Sequence, residues 1–419
     1  MRTPPEMAAV ALEAPQEIAA SRAPALAPAP GANKRLALLS VGHFCIDMYS
    51  AALGALQPLL ITRYSLSLFE AGILGGVLYF SSSVMQPFYG YLSDRFHFRG
   101  FTVLAPMVAG IFISSLGLAT GFPMLLLLVF LGGVGVASFH PQGTAHAAAS
   151  WRHRRGLAMA IFITAGTIGL SAGPAYFSLL TSRLGIERAY WGALPALAIT
   201  VVLAFTLPPP PRREHAGGPH FDLAPFRRVW KPMLLLYFLV VIRSIVQIVF
   251  TQFLPLYFHL HHGFSISSAS YVLSFFLLVG AVVGFLGGSL ADRFGGKRIV
   301  VFSMVASVPF LVLFLLSRGW ASLAGLGVGG SILLFTIPVN VTMAQELVPS
   351  QSGTVSALMM GFAWGMAGLM FIPLFGWVAD HVGLHATLWG VILLPLVGSL
   401  LAVKLPADHP RFVRRVSAG

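Results

Sequence analysis

Apolar stretches long enough to cross a lipid bilayer recur along this chain from residue 36 to residue 405. A helix of about 20 apolar residues spans the hydrocarbon core of a membrane, and irregular backbone cannot face lipid. Of the 419 residues, 57% are hydrophobic and only 9% are charged, so an ordinary soluble domain is excluded. The sequence therefore predicts an all-α membrane protein.

Hydropathy, prolines and charged residues divide these stretches into twelve transmembrane helices. They form two bundles of six, residues 34–207 and 231–405, separated by a polar cytoplasmic linker at 208–230 that opens with four prolines. We interpret residues 1–33 as a disordered cytoplasmic N-tail and residues 406–419 as a cytoplasmic C-tail. The predicted spans are 36–62, 70–92, 101–120, 122–147, 156–181, 189–207, 231–259, 267–290, 298–317, 320–345, 353–378 and 386–405.

Basic residues are distributed unevenly between the two sides of this topology. The segments on the side of the termini hold 21 of the 26 Lys and Arg residues, the opposite loops hold four, and Arg243 lies inside a span. Positive charge is retained in the cytoplasm, so both termini are expected there. This bias explains the net charge of +13 without a nucleic-acid partner. We expect a monomeric, multi-pass protein of a bacterial plasma (inner) membrane.

The two bundles repeat each other at a nearly constant spacing. The segment Gly90–Arg95 recurs as Gly288–Arg293, 198 residues later, and Leu184-Gly185 recurs as Val382-Gly383 at the same distance. Pro141 recurs as Pro338, 197 residues later. A constant offset of this kind indicates two homologous six-helix repeats in parallel orientation.

These motifs resemble one superfamily of transporters. The segments that begin at Gly90 and Gly288 are similar to the loop signature that follows spans two and eight in the major facilitator superfamily. Gly42-His-Phe-Cys-Ile-Asp47 and Gly135-Val-Ala-Ser-Phe-His-Pro141 look like the fosmidomycin-resistance family of drug exporters. The resemblance implies a major facilitator fold with spans one and seven beside a central cavity. It also implies proton-coupled efflux of a small drug-like or anionic metabolite by alternating access.

Two positions depart from the pattern of this family. The first loop signature has His97-Phe98 where a glycine and a basic residue are usual. Gln142 follows Pro141 where the family often carries an acid, which removes one possible proton carrier. Asp47 is then the stronger candidate for that role.

Asp47 is the only carboxylate well inside a predicted span, where a charge is costly unless it faces a cavity or a partner. His43 lies one helical turn before Asp47 on the same face. Arg243 and Gln247 repeat this spacing in span seven. We expect Arg243 to hold an anionic group of the substrate and Asp47 to take up and release a proton. A fixed structural ion pair between Asp47 and Arg243 is the alternative.

Further polar residues complete the candidate substrate and proton site. His140 precedes Pro141, so it either bonds the carbonyl that the proline frees or titrates near neutral pH. Gln142 and Asn340 are expected to line the cavity. His259, His261 and His262 have no acid or cysteine nearby, so we expect neither a metal nor another cofactor.

The loop signatures supply a second group of candidates. In the superfamily, the signature aspartates cap a neighbouring helix and pair with basic residues to hold the outward-open state. The resemblance therefore implies a gate at the cytoplasmic side. Its candidate residues are Asp94, Arg95, Asp292, Arg293, Arg298 and Glu346.

Other functional classes fit the sequence less well. An intramembrane aspartyl protease needs two facing carboxylates, and no catalytic triad or nucleotide-binding lysine can be assembled, so an enzyme is disfavoured. Two six-helix halves predict alternating access rather than an open channel. An importer or an uncoupled facilitator of a small organic anion with the same fold stays open as the alternative.

Overall fold

A computed structural model describes residues 31–96, 98–151, 154–207, 224–284 and 286–406 of the chain. The predicted N-tail, most of the linker and nearly all of the C-tail therefore lie outside the described residues. Within the described residues, twelve helices are long and apolar enough to cross a membrane, as predicted. They are α1 Ala32–Tyr64, α2 Leu68–Ser93, α3 Gly100–Leu118, α4 Phe122–Ser150, α5 Arg155–Leu184, α6 Ile186–Thr206, α7 Trp230–His262, α8 Ile266–Phe294, α9 Gly296–Leu316, α10 Gly319–Leu347, α11 Pro349–Val382 and α12 Leu384–Ala402.

The predicted internal repeat is visible in how equivalent helices end. Gly185 and Gly383 have φ of 78° and 85° and close α5 and α11, and these two residues are 198 positions apart. Ser65 and Gly263, also 198 apart, have φ of 50° and 69° and close α1 and α7. A residue of positive φ just past a helix end is a common stop signal, and here both halves place it at the same point.

Two hydrophobic cores underlie the two groups of helices. In the described part of the chain, the buried side chains of one core come from residues 36–207 and include Phe139 and Phe177. Those of the other core come from residues 233–405, with Ala51 as a single addition from the first half, and include Phe250 and Phe314. Each six-helix group therefore packs around its own interior.

The two halves contact each other where glycines allow backbones to approach closely. A Cβ atom at Gly72 of α2 would lie 2.7 Å from the carbonyl oxygen of Ile372 in α11. Gly376 lies equally tightly against Leu68, and Gly54 of α1 against the Thr251 carbonyl of α7. Since α1 ends and α2 begins at the face of the bundle opposite the termini, the halves are closed together at that face.

A carboxylate on α11 reinforces this closed face. Asp380 accepts a hydrogen bond from each of the backbone N–H groups of Leu68 and Phe69, both at 2.8 Å, and so caps the first turn of α2 from the other half. Carboxylates are favoured at helix N-termini because the exposed N–H groups carry partial positive charge. The equivalent residue in the first half is Ser182, which donates to Leu179 of its own helix instead. The cap is therefore confined to one side of the interface.

Asp380→Asn is expected to weaken closure of this face. An asparagine keeps one acceptor oxygen and loses both the second acceptor and the negative charge, a change of about 1 kcal/mol. The population open at this face should therefore rise about fivefold. Distances between spin labels in the loops 119–121 and 317–318 measure that population. Ser182→Ala is the matched control and should leave it unchanged, and an unchanged population in Asp380→Asn would refute the role of the cap.

Candidate functional site

The side chain of Asp47 lies between two histidines. Its Oδ2 atom is 3.3 Å from Nε2 of His43, one turn earlier on α1, and its Oδ1 atom is 3.5 Å from Nε2 of His140 on α4. The exposed fraction of the side chain is 12% for Asp47, 8% for His43 and 24% for His140. The helical period brings His43 and Asp47 together, whereas the contact with His140 depends on how α1 packs against α4.

The other ring nitrogen of each histidine is already engaged. Nδ1 of His43 is 2.8 Å from the carbonyl oxygen of Phe162, and Nδ1 of His140 is 2.8 Å from that of Val136. A carbonyl only accepts hydrogen bonds, so each Nδ1 carries a hydrogen and donates it. In a neutral imidazole the Nε2 atom is then a lone pair, and this lone pair faces a carboxylate oxygen of Asp47.

This arrangement requires protons to hold the three groups together. With no added proton, the cluster has a charge of −1 and places lone pairs of nitrogen and oxygen against each other. One added proton makes it neutral and forms one N–H–O bridge to Asp47. A second added proton forms the other bridge and gives +1. In the cluster of His43, Asp47 and His140, each contact of the carboxylate with an imidazole therefore needs a hydrogen on one of the two facing atoms.

Helix α5 completes the cluster. Besides the Phe162 carbonyl, its Phe162 ring stacks on His43 with centroids 4.1 Å apart. Gly166, one turn further, leaves the space in which the pair sits, since a Cβ there would lie 2.5 Å from Asp47 Oδ2 and 2.6 Å from His43 Nε2. Nothing in the pattern of α5 alone indicated which residues this glycine would meet.

Gly166→Ala is expected to separate His43 from Asp47 and to lower any transport that depends on their contact by about 100-fold, because displacements near 1 Å at a reacting site have effects of that size. Transport by the purified protein in proteoliposomes measures this. Gly156→Ala, on the same helix, is the matched control because a Cβ there meets nothing within 4 Å. Equal activity of the two variants would contradict the assigned role of Gly166.

Arg243 occupies a separate buried site on α7. Its side chain donates from Nη1 to Oε1 of Gln247 at 2.8 Å, and its Cζ atom lies 5.2 Å from the ring centroid of Trp364 on α11. The residue is 3% exposed, and its Nε atom has no hydrogen-bond partner among the described residues. A buried guanidinium with a free donor is costly, so this site favours the arrival of an anion.

The alternative ion pair between Asp47 and Arg243 is not formed in this conformation. Within the described residues, the charged partners of Asp47 inside 4 Å are His43 and His140. The position equivalent to Asp47 in α7 is Ser244, so Arg243 projects about 100° away around the helix. That rotation directs it to Gln247 and Trp364. A fixed ion pair between the two residues is therefore not what holds the halves together in this conformation.

Two other predicted site residues lie apart from both groups. Gln142 accepts a hydrogen bond from Thr102 at 2.9 Å and donates to the Phe98 carbonyl at 3.2 Å, so it ties α4 to the start of α3. Asn340 has 0% exposed surface, and its amide has no partner among the described residues. An open cavity does not reach Asn340 in this conformation.

His140 differs from one of its two predicted roles, because it donates to the Val136 carbonyl and not to the Ala137 carbonyl that Pro141 frees.

The predicted gate residues lie at the face of the termini. Arg95, Asp292, Arg293, Arg298 and Glu346 are exposed, and the side chain of Asp94 lies outside the described residues. Arg293 stacks on the neighbouring Phe294 at 5.2 Å. No ion pair within 4 Å joins Asp292, Arg293 or Arg298 to any described residue. The predicted gate contacts of these three residues are thus not made while the opposite face is closed.

The cluster around Asp47 also has the composition of a metal site, which the sequence had not suggested. One atom from each of the three side chains lies within 4.8 Å of the others. The carboxylate, however, offers a different oxygen to each imidazole, whereas the ligands of one ion converge on a point. Shared protons fit this geometry better. In the described part of the chain His259, His261 and His262 belong to no such group.

Comparison with known proteins adds independent findings. A family model described as Major Facilitator Superfamily matches residues 39–372 and 263–417. An uncharacterized MFS-type transporter of Bacillus subtilis (strain 168), YfnC, is 31% identical over 89% of this chain and 93% of its own length. The fosmidomycin resistance protein of Escherichia coli (strain K12) is 29% identical over 89% and 93%. A crystal structure of a bacterial homologue of the human lysosomal transporter Spinster matches the fold with a TM-score of 0.79 at 14% identity, covering 92% of this chain and 98% of that one.

Proposed function

This chain belongs to the Major Facilitator Superfamily of transporters, and we propose that it is a proton-coupled exporter of a small organic anion. The observation that carries the proposal is the cluster of His43, Asp47 and His140, buried in a helix bundle that spans a membrane. Intramembrane ionisable groups are retained where ions or substrates move. Here a proton between Asp47 and His140 makes or breaks a contact between α1 and α4.

The proton route runs through the most exposed member of the cluster. His140 has about twice the exposed fraction of Asp47, so it exchanges protons with water first. Asp47 receives the proton from His140 and shares it with His43, whose ring is held by Phe162 of α5. Protonation therefore changes how α1 is bound to α4. This is the kind of local change that can bias a two-state transporter.

Arg243 provides the site for the anionic group of the substrate. Its free Nε atom and its planar fork suit a carboxylate, phosphate or phosphonate. An anion neutralises a guanidinium that otherwise lies buried among uncharged groups. The proton site lies on α1 and the substrate site on α7, and these are equivalent helices of the two repeats. Movement of one half against the other therefore acts on both sites together.

Alternating access follows from the way the halves meet. We infer that residues 34–207 and 231–405 rock about the membrane middle, with both termini in the cytoplasm as the positive-charge bias favours. The closed face would then be the outer one, and the structure an inward-open state. In this state a proton leaves the cluster and an anion binds Arg243. After rocking, the anion leaves outside and a proton enters.

The direction of transport is proposed as export, on two grounds. The fosmidomycin resistance protein of Escherichia coli matches nearly the whole chain, and its name points to efflux of a phosphonate drug. Proton entry down its gradient also drives antiport outward. The chain would act in this way in a bacterial inner membrane, as a monomer.

Proteoliposomes containing the wild-type protein and an internal pH-sensitive dye test the proposal. Fosmidomycin added to one side should drive protons in the direction opposite to its own movement. Inverted membrane vesicles with an acid interior should accumulate fosmidomycin. A chelator in parallel samples should change neither result if protons and not metal ions occupy the cluster. Anion exchange without proton movement would favour an uncoupled facilitator. Anion and proton movement in the same direction would favour an importer.

A further inference from the structure

Trp364 covers one face of the Arg243 guanidinium. Its ring centroid is 5.2 Å from Cζ, a distance at which a cation is attracted by the electrons of an indole. The tryptophan is half-buried on α11 and lies beside the point where α11 meets α2. Water is therefore excluded from this face, and the indole limits the directions from which a ligand can reach the guanidinium.

The hydrogen-bonding edges of Arg243 are not equally available. A guanidinium presents two edges that can bind two oxygens at once, the pair Nη1 and Nη2 and the pair Nε and Nη2. Gln247 accepts from one of the two N–H groups of Nη1 at 2.8 Å, so the first edge is partly engaged. Nε is buried and has no partner among the described residues. The second edge is thus the open one.

We propose that Trp364 is a specificity-determining residue that restricts Arg243 to anions with two acceptor oxygens in one plane. This inference rests on the proposed function, in which Arg243 holds the anionic group of the substrate. Carboxylates and phosphonates have such oxygen pairs. A monatomic anion accepts from both N–H groups of the open edge at a single point, so its two hydrogen bonds are bent where those to an oxygen pair are straight, and with the ring in place it cannot approach from the covered face.

Helix α2 of the first six-helix half holds the indole in position. Tyr79 of α2 lies with its ring centroid 6.3 Å from that of Trp364. Gly368, one turn further along α11, lies so close to the Tyr79 ring that a Cβ there would overlap it. Contact between α2 and α11 thereby fixes the orientation of Trp364. The selectivity belongs to the conformation in which these two helices touch.

The test measures anion selectivity on the purified full-length protein in detergent. Apparent Kd values for sodium methylphosphonate, sodium propionate and sodium iodide are taken from the rise in thermal unfolding midpoint, at matched ionic strength. In the wild type both oxoanions should bind at least about tenfold more tightly than iodide. In Trp364→Leu that ratio should fall about tenfold, because the cation–π contact that limits the approach of ligands is lost. Trp377→Leu, which removes an exposed tryptophan of the same helix, should retain the wild-type ratio.

Three results would overturn this inference. If Trp364→Leu keeps the wild-type ratio, the selectivity role of Trp364 is refuted. If Arg243→Gln also abolishes the effect of both oxoanions, the anion site of the proposed function still stands. Trp364→Phe keeps an aromatic face and should lose no more than about threefold, so a loss as large as in the leucine variant would refute stacking as the cause. A wild type that no oxoanion stabilises would refute both this inference and the anion site of the proposed function.

Discussion

Asp47→Asn is expected to abolish substrate-driven proton movement while anion binding persists. Asparagine has the shape of aspartate, but its amide cannot accept a proton and pass it on. It would donate to one histidine and present an oxygen to the other, so one of the two contacts in the cluster would no longer depend on proton number. Arg243 is not in contact with Asp47, so the anion site should keep its affinity within about threefold.

Dye-loaded proteoliposomes provide the measurement, with binding of fosmidomycin to the purified protein measured alongside. The expected result is proton flux at the level of protein-free vesicles and a nearly unchanged Kd. Glu187→Gln, a neutralised acid in an exposed pair with Arg63 outside the cluster, serves as the control. Wild-type flux in Asp47→Asn would exclude Asp47 as the carrier and leave His43 and His140 to be tested in the same way.

Arg243→Lys is expected to weaken anion binding by about 100-fold even though the positive charge is kept. A lysine ammonium has no planar edge for two oxygens, stacks less well on Trp364 and cannot bond Gln247 in the same geometry. Hydrogen bonds to charged groups contribute about 1.5–3 kcal/mol each, so the loss of one is sufficient for an effect of this order. Proton binding to the cluster on α1 should be unaffected.

Titration of the purified variant with fosmidomycin measures the change in Kd. Arg63→Lys is the matched control, since that arginine is an exposed member of a pair with Glu187 at the face opposite the termini. A rise in Kd of less than about threefold in Arg243→Lys would mean that charge alone holds the substrate. Uncoupled proton leak in Arg243→Lys would further indicate that the anion normally controls when the cluster exchanges its proton.

The number and limits of the helices were predictable because the bilayer imposes them. Lipid excludes unpaired backbone groups, so each apolar stretch has to be a helix, and its ends fall where charge or a positive-φ residue appears. No predicted span end differs from the structure by more than four residues. The repeat was predictable for a similar reason, since Gly185 and Gly383 stop equivalent helices in equivalent places.

The site was only partly predictable, because periodicity describes one helix at a time. It identified Asp47 and placed His43 on the same face. It could not show how α4 and α5 are rotated against α1. That rotation places His140 beside Asp47 and the Phe162 carbonyl beside His43. Depth alone suggested a partner in Arg243, but the offset of one residue from the equivalent position turns that side chain towards α11. The contact of Trp364 with Arg243 and the cap that Asp380 places on α2 likewise depend on packing between helices.

The seam between the halves is made largely of backbone, at Gly72, Gly376 and Gly54. Side chains add to this seam at separate points, among them the cap of Asp380 on α2 and the packing of Tyr79 against Gly368. In evolutionary terms, the lining of the cavity can be exchanged residue by residue while the moving parts stay compatible. New substrates can be acquired without redesign of the motion, and the few seam glycines are the positions at which drift is least tolerated.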